Sequence, residues 1–150
     1  MFGNSKKKKG VRITTHIDSL IGKNTFINGN IEFSGGLRID GNVTGNIGSV
    51  SNDDSVLTLS ENGLITGEIK VPNMIINGEI RGDIYADGHI ELVDKANITG
   101  NVFYHQIEMA VGAEVNGKLI RMSSDINGET IYEDQDLTLE QNNISLEQKS

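Results

Sequence analysis

The chain has 150 residues, 18 glycines, one proline, no cysteine and a formal net charge of -8. That length fits one domain, and the missing cysteine excludes a disulfide framework, a thiolate metal site and a cysteine nucleophile. The acidic balance argues against bulk binding to nucleic acid, whose phosphates it repels, and no run approaches the ~20 apolar residues that span a bilayer.

The chain opens MFGNSKKKKG. Met1 and Phe2 are apolar, and Lys6, Lys7, Lys8 and Lys9 follow. No long apolar stretch follows the lysines, so a secretory signal peptide is not expected. Gly3 is not the second residue, so the N-myristoylation pattern is absent. A cytoplasmic location is the expectation. Residues 1–16 are expected to be a flexible segment. Two readings of it stand at this point. One is a solvated charge run that keeps a loose end soluble. The other is a membrane-surface segment, in which each Lys near an anionic leaflet contributes about 1 kcal/mol.

From residue 17 to 122 the pattern is that of short strands between tight turns. Apolar residues fall at even spacings, and Gly, Asn and Asp recur between them. The segments 57–69, 90–102 and 107–119 share one thirteen-residue frame, and 31–43 fits it as well. Each has aliphatic residues at its first, ninth and last positions, an apolar residue at its third and Gly at its eleventh. Segments 72–84 and 19–31 fit except for Pro72 and Ser19 at their starts. A period of about seventeen suits one turn of a three-sided coil with roughly six residues a side. Alternation sends every second side chain inward, which stacks Ile90, Leu92, Ile98 and Val102 under Ile107, Met109, Val115 and Leu119. Gly67, Gly100 and Gly117 fall where the chain must turn sharply, Pro72 at a corner, and 48–55 in a loop bulging from one. The expectation is an all-β, single-domain β-helix of about six turns.

Such a solenoid exposes unpaired strand edges and an apolar cross-section at both ends unless capped. The segment before the core has no amphipathic helix pattern and the stretch after it is polar and short, so no convincing cap is found. The end turns are therefore the candidate self-assembly surfaces: Ile21, Phe26 and Ile31 at one end, Ile107, Met109, Val115 and Leu119 at the other. The last segment, 123–150, has seven acidic residues and one lysine. It is expected to be a disordered acidic tail, since it cannot bury enough surface to offset its ordering entropy.

No catalytic residue, cofactor or metal site is expected. The histidines are His16, His89 and His105. His89 and His105 fall near one edge of neighbouring turns, but no third ligand has suitable spacing. No nucleophile elbow, P-loop or dinucleotide fingerprint appears.

The repeated units IDGNVTGNI, INGEIRGDI and NITGNV resemble those of the bactofilins, bacterial cytoskeletal proteins. The resemblance covers about 17–122 and the start MFGNSKKKK, which looks like the short membrane-targeting peptide of many members. It implies a right-handed three-sided β-helix that polymerises without nucleotide. It also implies filaments on the cytoplasmic face of the inner membrane that position cell-wall-modifying or morphogenesis proteins. With it, Met1, Phe2 and Lys6–Lys9 are expected to bind the membrane lipid surface. The expected partners are then the protein itself, that surface and those proteins, with no nucleic acid. Some members carry a phenylalanine in the last turn that supports assembly. Here Val115 occupies the comparable site, and no aromatic assembly residue is assigned.

The alternative is a hexapeptide-repeat acyltransferase with a left-handed β-helix, favoured by Ile31, Leu37 and Val43 falling six apart. Its frame fails at Gly63, Ala96 and Ala113 and at the five-residue step from Val102 to Ile107. A carbohydrate-binding or hydrolysing β-helix ranks last, because such a groove is lined with aromatics and this chain has three tyrosines and four phenylalanines.

Overall fold

The computed structural model describes residues 16–50, 54–124 and 130–136. Every regular element in them is a strand. They coil as six turns, each laying one strand on each of three faces.

The first turn holds β1 (Ser19–Ile21), β2 (Phe26–Asn28) and β3 (Ile31–Phe33). The second holds β4 (Gly36–Ile39), β5 (Asn42–Thr44) and β6 (Ile47–Ser49), and the third β7 (Val56–Leu59), β8 (Leu64–Thr66) and β9 (Ile69–Lys70). The fourth holds β10 (Asn73–Ile76), β11 (Glu79–Arg81) and the start of β12 (Ile84–Leu92). β12 rounds the corner into the fifth turn, which continues with β13 (Asn97–Thr99) and the start of β14 (Val102–Met109). β14 in turn opens the sixth, completed by β15 (Glu114–Asn116) and β16 (Lys118–Ser124). All pairing between turns is parallel.

Pairing fixes which residues stack. One inward row of the first face reads Ser19, Leu37, Leu57, Met74, Ile90 and Ile107. The second face stacks Ile27, Val43, Ile65, Ile80, Ile98 and Val115. The third stacks Ile31, Ile47, Ile69, Ile84, Val102 and Leu119. These rows form one continuous apolar column, sealed in the middle turns and half-open at the ends.

The corner between second and third faces explains the glycines. Gly29, Gly45, Gly67, Gly82, Gly100 and Gly117 all sit there with φ between +147° and +157°. L side chains rarely adopt that conformation. From the second turn upward, a Cβ would also collide with the carbonyl oxygen of the glycine one turn below. In four turns the Asn or Asp after the glycine ties neighbouring turns together. The Asn30 Oδ1 accepts from the Asn46 N–H at 2.9 Å, and the Asn46 Oδ1 from the Glu68 N–H at 2.9 Å. Asp83 and Asn101 do the same for the N–H groups of Asn101 and Lys118.

The corner between first and second faces corrects the sequence alignment. It takes four residues in turns one, three, five and six, each closed by a backbone bond such as Gly63 N–H to the Ser60 carbonyl. In turns two and four it takes two: Asp40-Gly41 and Asn77-Gly78. The thirteen-residue frame is therefore two residues too long for those turns. Leu37, not Ile31, pairs with Leu57, and Met74, not Pro72, is the next in that row. Ile31 closes the first turn instead. The turn-to-turn step along the row from Ser19 to Ile107 is 18, 20, 17, 16 and 17 residues, which breaks a strict hexapeptide register.

One strand lies where disorder is expected. β17 (Thr130–Asp136) pairs antiparallel with β16 across seven register positions. Backbone hydrogen bonding supplies this pairing, so it does not need the apolar pattern that the hydropathy reading looks for. Residues 137–150 of the expected tail, and the N-terminal segment 1–15, lie outside the described residues.

Candidate functional site

Among the described residues, the two ends of the column differ from its middle by the absence of a neighbouring turn. At the first turn Ile21, Ile27, Ile31 and Phe33 pack against the core yet remain half-buried. At the last turn Ile107, Ala113 and Val115 do the same, and Met109 is 41% exposed. Leu119 is 6% exposed.

The expected end residues therefore divide into three groups. Ile21, Ile31, Ile107, Met109 and Val115 stand in inward rows of the end turns, where a second copy's turn would cover them. Leu119 stands in an inward row but is already buried. Phe26 does not belong to the cross-section. It pairs with Asn42, on the outer side of the second face, and is 72% exposed. Alternation makes its neighbour Ile27 the inward residue. Ile27 and Phe33 are the end residues that sequence reasoning missed. Ile27 had a signal, because it shares the ninth frame position with Ile65, Ile98 and Val115. The expected membrane residues Met1, Phe2 and Lys6–Lys9 lie outside the described residues.

The outer surface changes along the rod. The outward row of the first face reads Leu20, Arg38, Thr58, Ile75, Glu91 and Glu108. Its first member is 60% exposed and apolar, and its last two are acidic. On the third face Tyr85 and Phe103 stack at 4.5 Å between ring centroids and 5° between planes. The Lys70 Nζ lies 5.4 Å from the Tyr85 ring centre, and Tyr132 of β17 meets Phe103 edge-on at 5.6 Å. This half-buried setting, with Glu68 and Asp83 close by, pushes the Tyr85 phenol above its ordinary pKa.

His89 and His105 border one groove with Tyr104, Glu108 and Arg121. His89 registers with Gln106 rather than with His105, because Asp87 and Gly88 oppose the single residue His105 at that corner. The His89 Nε2 is 3.8 Å from a Glu108 carboxylate oxygen, and the His105 Nδ1 is 3.1 Å from the Met122 carbonyl. Among the described residues no group of three or more His, Cys, Asp or Glu side chains is placed to hold a metal ion. No helix among them is long and apolar enough to cross a membrane.

Comparison with known proteins points to one family. The family profile described as "Bactofilin: Polymer-forming cytoskeletal" matches residues 19–120, which are all six turns up to the start of β16. The chain is 28% identical over 108 residues to Bactofilin BacO of Myxococcus xanthus, covering 72% of this chain and 82% of that protein. No solved structure matches the chain significantly. With the profile spanning more than half of its length and the whole β-solenoid, the chain belongs to the bactofilins, a family of polymer-forming cytoskeletal proteins.

Proposed function

We propose that the protein is a cytoskeletal scaffold whose solenoids join end to end into filaments without nucleotide. The observation that carries this reading is the half-open apolar cross-section at both ends, Ile21, Ile27, Ile31 and Phe33 against Ile107, Met109 and Val115. Burying those rows and pairing the strand edges drives association directly, so the joint needs no hydrolysis step. The filament attaches to the cytoplasmic face of the inner membrane through Met1, Phe2 and Lys6–Lys9. One such segment binds weakly, at about 1 kcal/mol per Lys. A filament presents many copies on one surface, and effective concentration turns weak sites into firm attachment. Attachment then depends on assembly. The bound filament positions cell-wall-modifying or morphogenesis proteins, the partner class that the family resemblance implies.

Negative-stain electron microscopy of purified protein without nucleotide tests the polymer. Long uniform filaments are expected from the wild type. Ile27→Asp and Val115→Asp should shorten or abolish them while circular dichroism keeps its β signature. Discrete small particles from the wild type would remove the filament reading. For the membrane, Phe2→Ser or replacement of Lys6–Lys9 by Gln should abolish co-sedimentation with anionic vesicles and leave filaments intact. Loss of filaments in those variants contradicts the separation of anchor and core.

A further inference from the structure

We infer that β17 is a displaceable cap on the last turn, occupying a strand edge that a second copy of this chain must share for the C-terminal end to join a filament. This rests on the end-to-end reading above.

Parallel pairing to β14 uses one edge of β16, and antiparallel pairing to β17 uses the other. The third face of the last turn therefore offers no free backbone edge. No further strand lies beyond β15 on the second face, or beyond Gln106–Met109 of β14 on the first, among the described residues. The end is thus uneven. β17 stands one strand layer, about 4.8 Å, beyond the other two faces. A partner's flat apolar cross-section resting on β17 is held off Ile107, Met109 and Val115 by that layer, well outside the ~4 Å at which apolar groups touch. Leu119 registers the effect from inside. It is 6% exposed, whereas Ile31, its counterpart at the open end of the same row, is only half-buried.

The cap is built to come off. β17 is the edge strand of its sheet, held by pairing to β16 on one side only. Its Ile131 and Tyr132 are 41% and 57% exposed. Elements with few buried contacts open first.

The test uses the full chain with Ile131→Pro and Tyr132→Pro together. Successive N–H groups of a strand point to opposite sides, so one of the two prolines must remove a donor aimed at β16. Hydrogen exchange of 118–124 reports the cap, and the critical concentration for filaments at low salt reports its consequence. Protection of 118–124 should fall in unpolymerised variant relative to unpolymerised wild type. The critical concentration should fall too, by about tenfold if the open state is on the order of a tenth populated in the wild type. Equal protection in both proteins means β17 is not paired in solution and overturns the cap. Lost protection with an unchanged critical concentration overturns it as well. A raised critical concentration makes β17 part of the joint and overturns its role as a block. Filaments from neither protein remove the end-to-end reading itself, and this inference with it.

Discussion

Ile31 and Leu119 open and close one row of the column, and their surroundings differ. Ile31 ends at an open face, while Leu119, in the last turn, has β17 paired beyond it. The middle of the row, from Ile47 to Val102, is sealed at 0–1% exposure. What distinguishes an end from the middle is thus the presence of a covering layer, since the residue types are alike. The glycines make the same contrast in a form that can be broken. Gly29 and Gly67 have nearly equal φ, +147° and +153°. A Cβ on Gly67 would collide with the Gly45 carbonyl oxygen, whereas a Cβ on Gly29 meets nothing within 4 Å. Gly67→Ala should therefore cost about 3–5 kcal/mol, strain plus a forced backbone shift. Gly29→Ala should cost only the strain, about 1–3 kcal/mol. Denaturant unfolding of unpolymerised protein measures both. If a second copy stacks on the first turn with its strands parallel, Gly29→Ala should also block that joint, because its new Cβ would meet the partner's backbone. Equal stability losses at the two glycines would erase the distinction between end and middle.

The second- and third-face corner was readable from sequence because its requirement is local. A positive φ demands Gly whatever lies around it, so a glycine marks this corner in all six turns from Gly29 to Gly117, with Asn or Asp after it in four of them. The register of turns two and four was not readable in the same way. Asp40-Gly41 and Asn77-Gly78 shorten their corners by two residues, and only pairing with the neighbouring turns shows that Leu37 replaces Ile31 in the row. At the candidate site, Ile21, Ile31, Ile107, Met109 and Val115 follow from alternation. Phe26 misled because hydrophobicity outweighed phase: it is the more apolar-looking residue, yet Ile27 keeps step with Val43 and Ile65. β17 gave no hydropathy signal, since a strand added to an edge is held by its backbone.

A smaller effect is expected from the aromatic stack that links the fourth turn to the cap. Phe103 touches Tyr85 face to face and Tyr132 edge-on. Each such pair contributes about 0.5–1.5 kcal/mol beyond area burial. Phe103→Leu keeps the apolar outer position and removes both ring contacts. It should lower stability by about 1–2 kcal/mol and raise hydrogen exchange of 118–124, while leaving the rates of 79–81 in β11 unchanged. Faster exchange in β11 as well would mean that the stack supports the whole coil and does not belong to the capped end.

The smallest expected effect is a pH dependence confined to Tyr85. Burial within its surroundings, then the carboxylates of Glu68 and Asp83 and the neighbouring Tyr132, raise the phenol's pKa in the folded protein. The unfolded chain therefore loses this proton at lower pH than the folded one. Tyr85's contribution is complete below the ordinary phenol range and is lost as pH rises through the raised folded value. The phenolate would sit beside two carboxylates on the face that leads to β17, so alkaline loosening should begin at the capped end. Comparison with Tyr85→Phe isolates this one group. Thermal unfolding followed across the phenol range should show a steeper alkaline decline for the wild type than for Tyr85→Phe. Parallel declines would assign the loss to other groups and leave the stack as a packing element only.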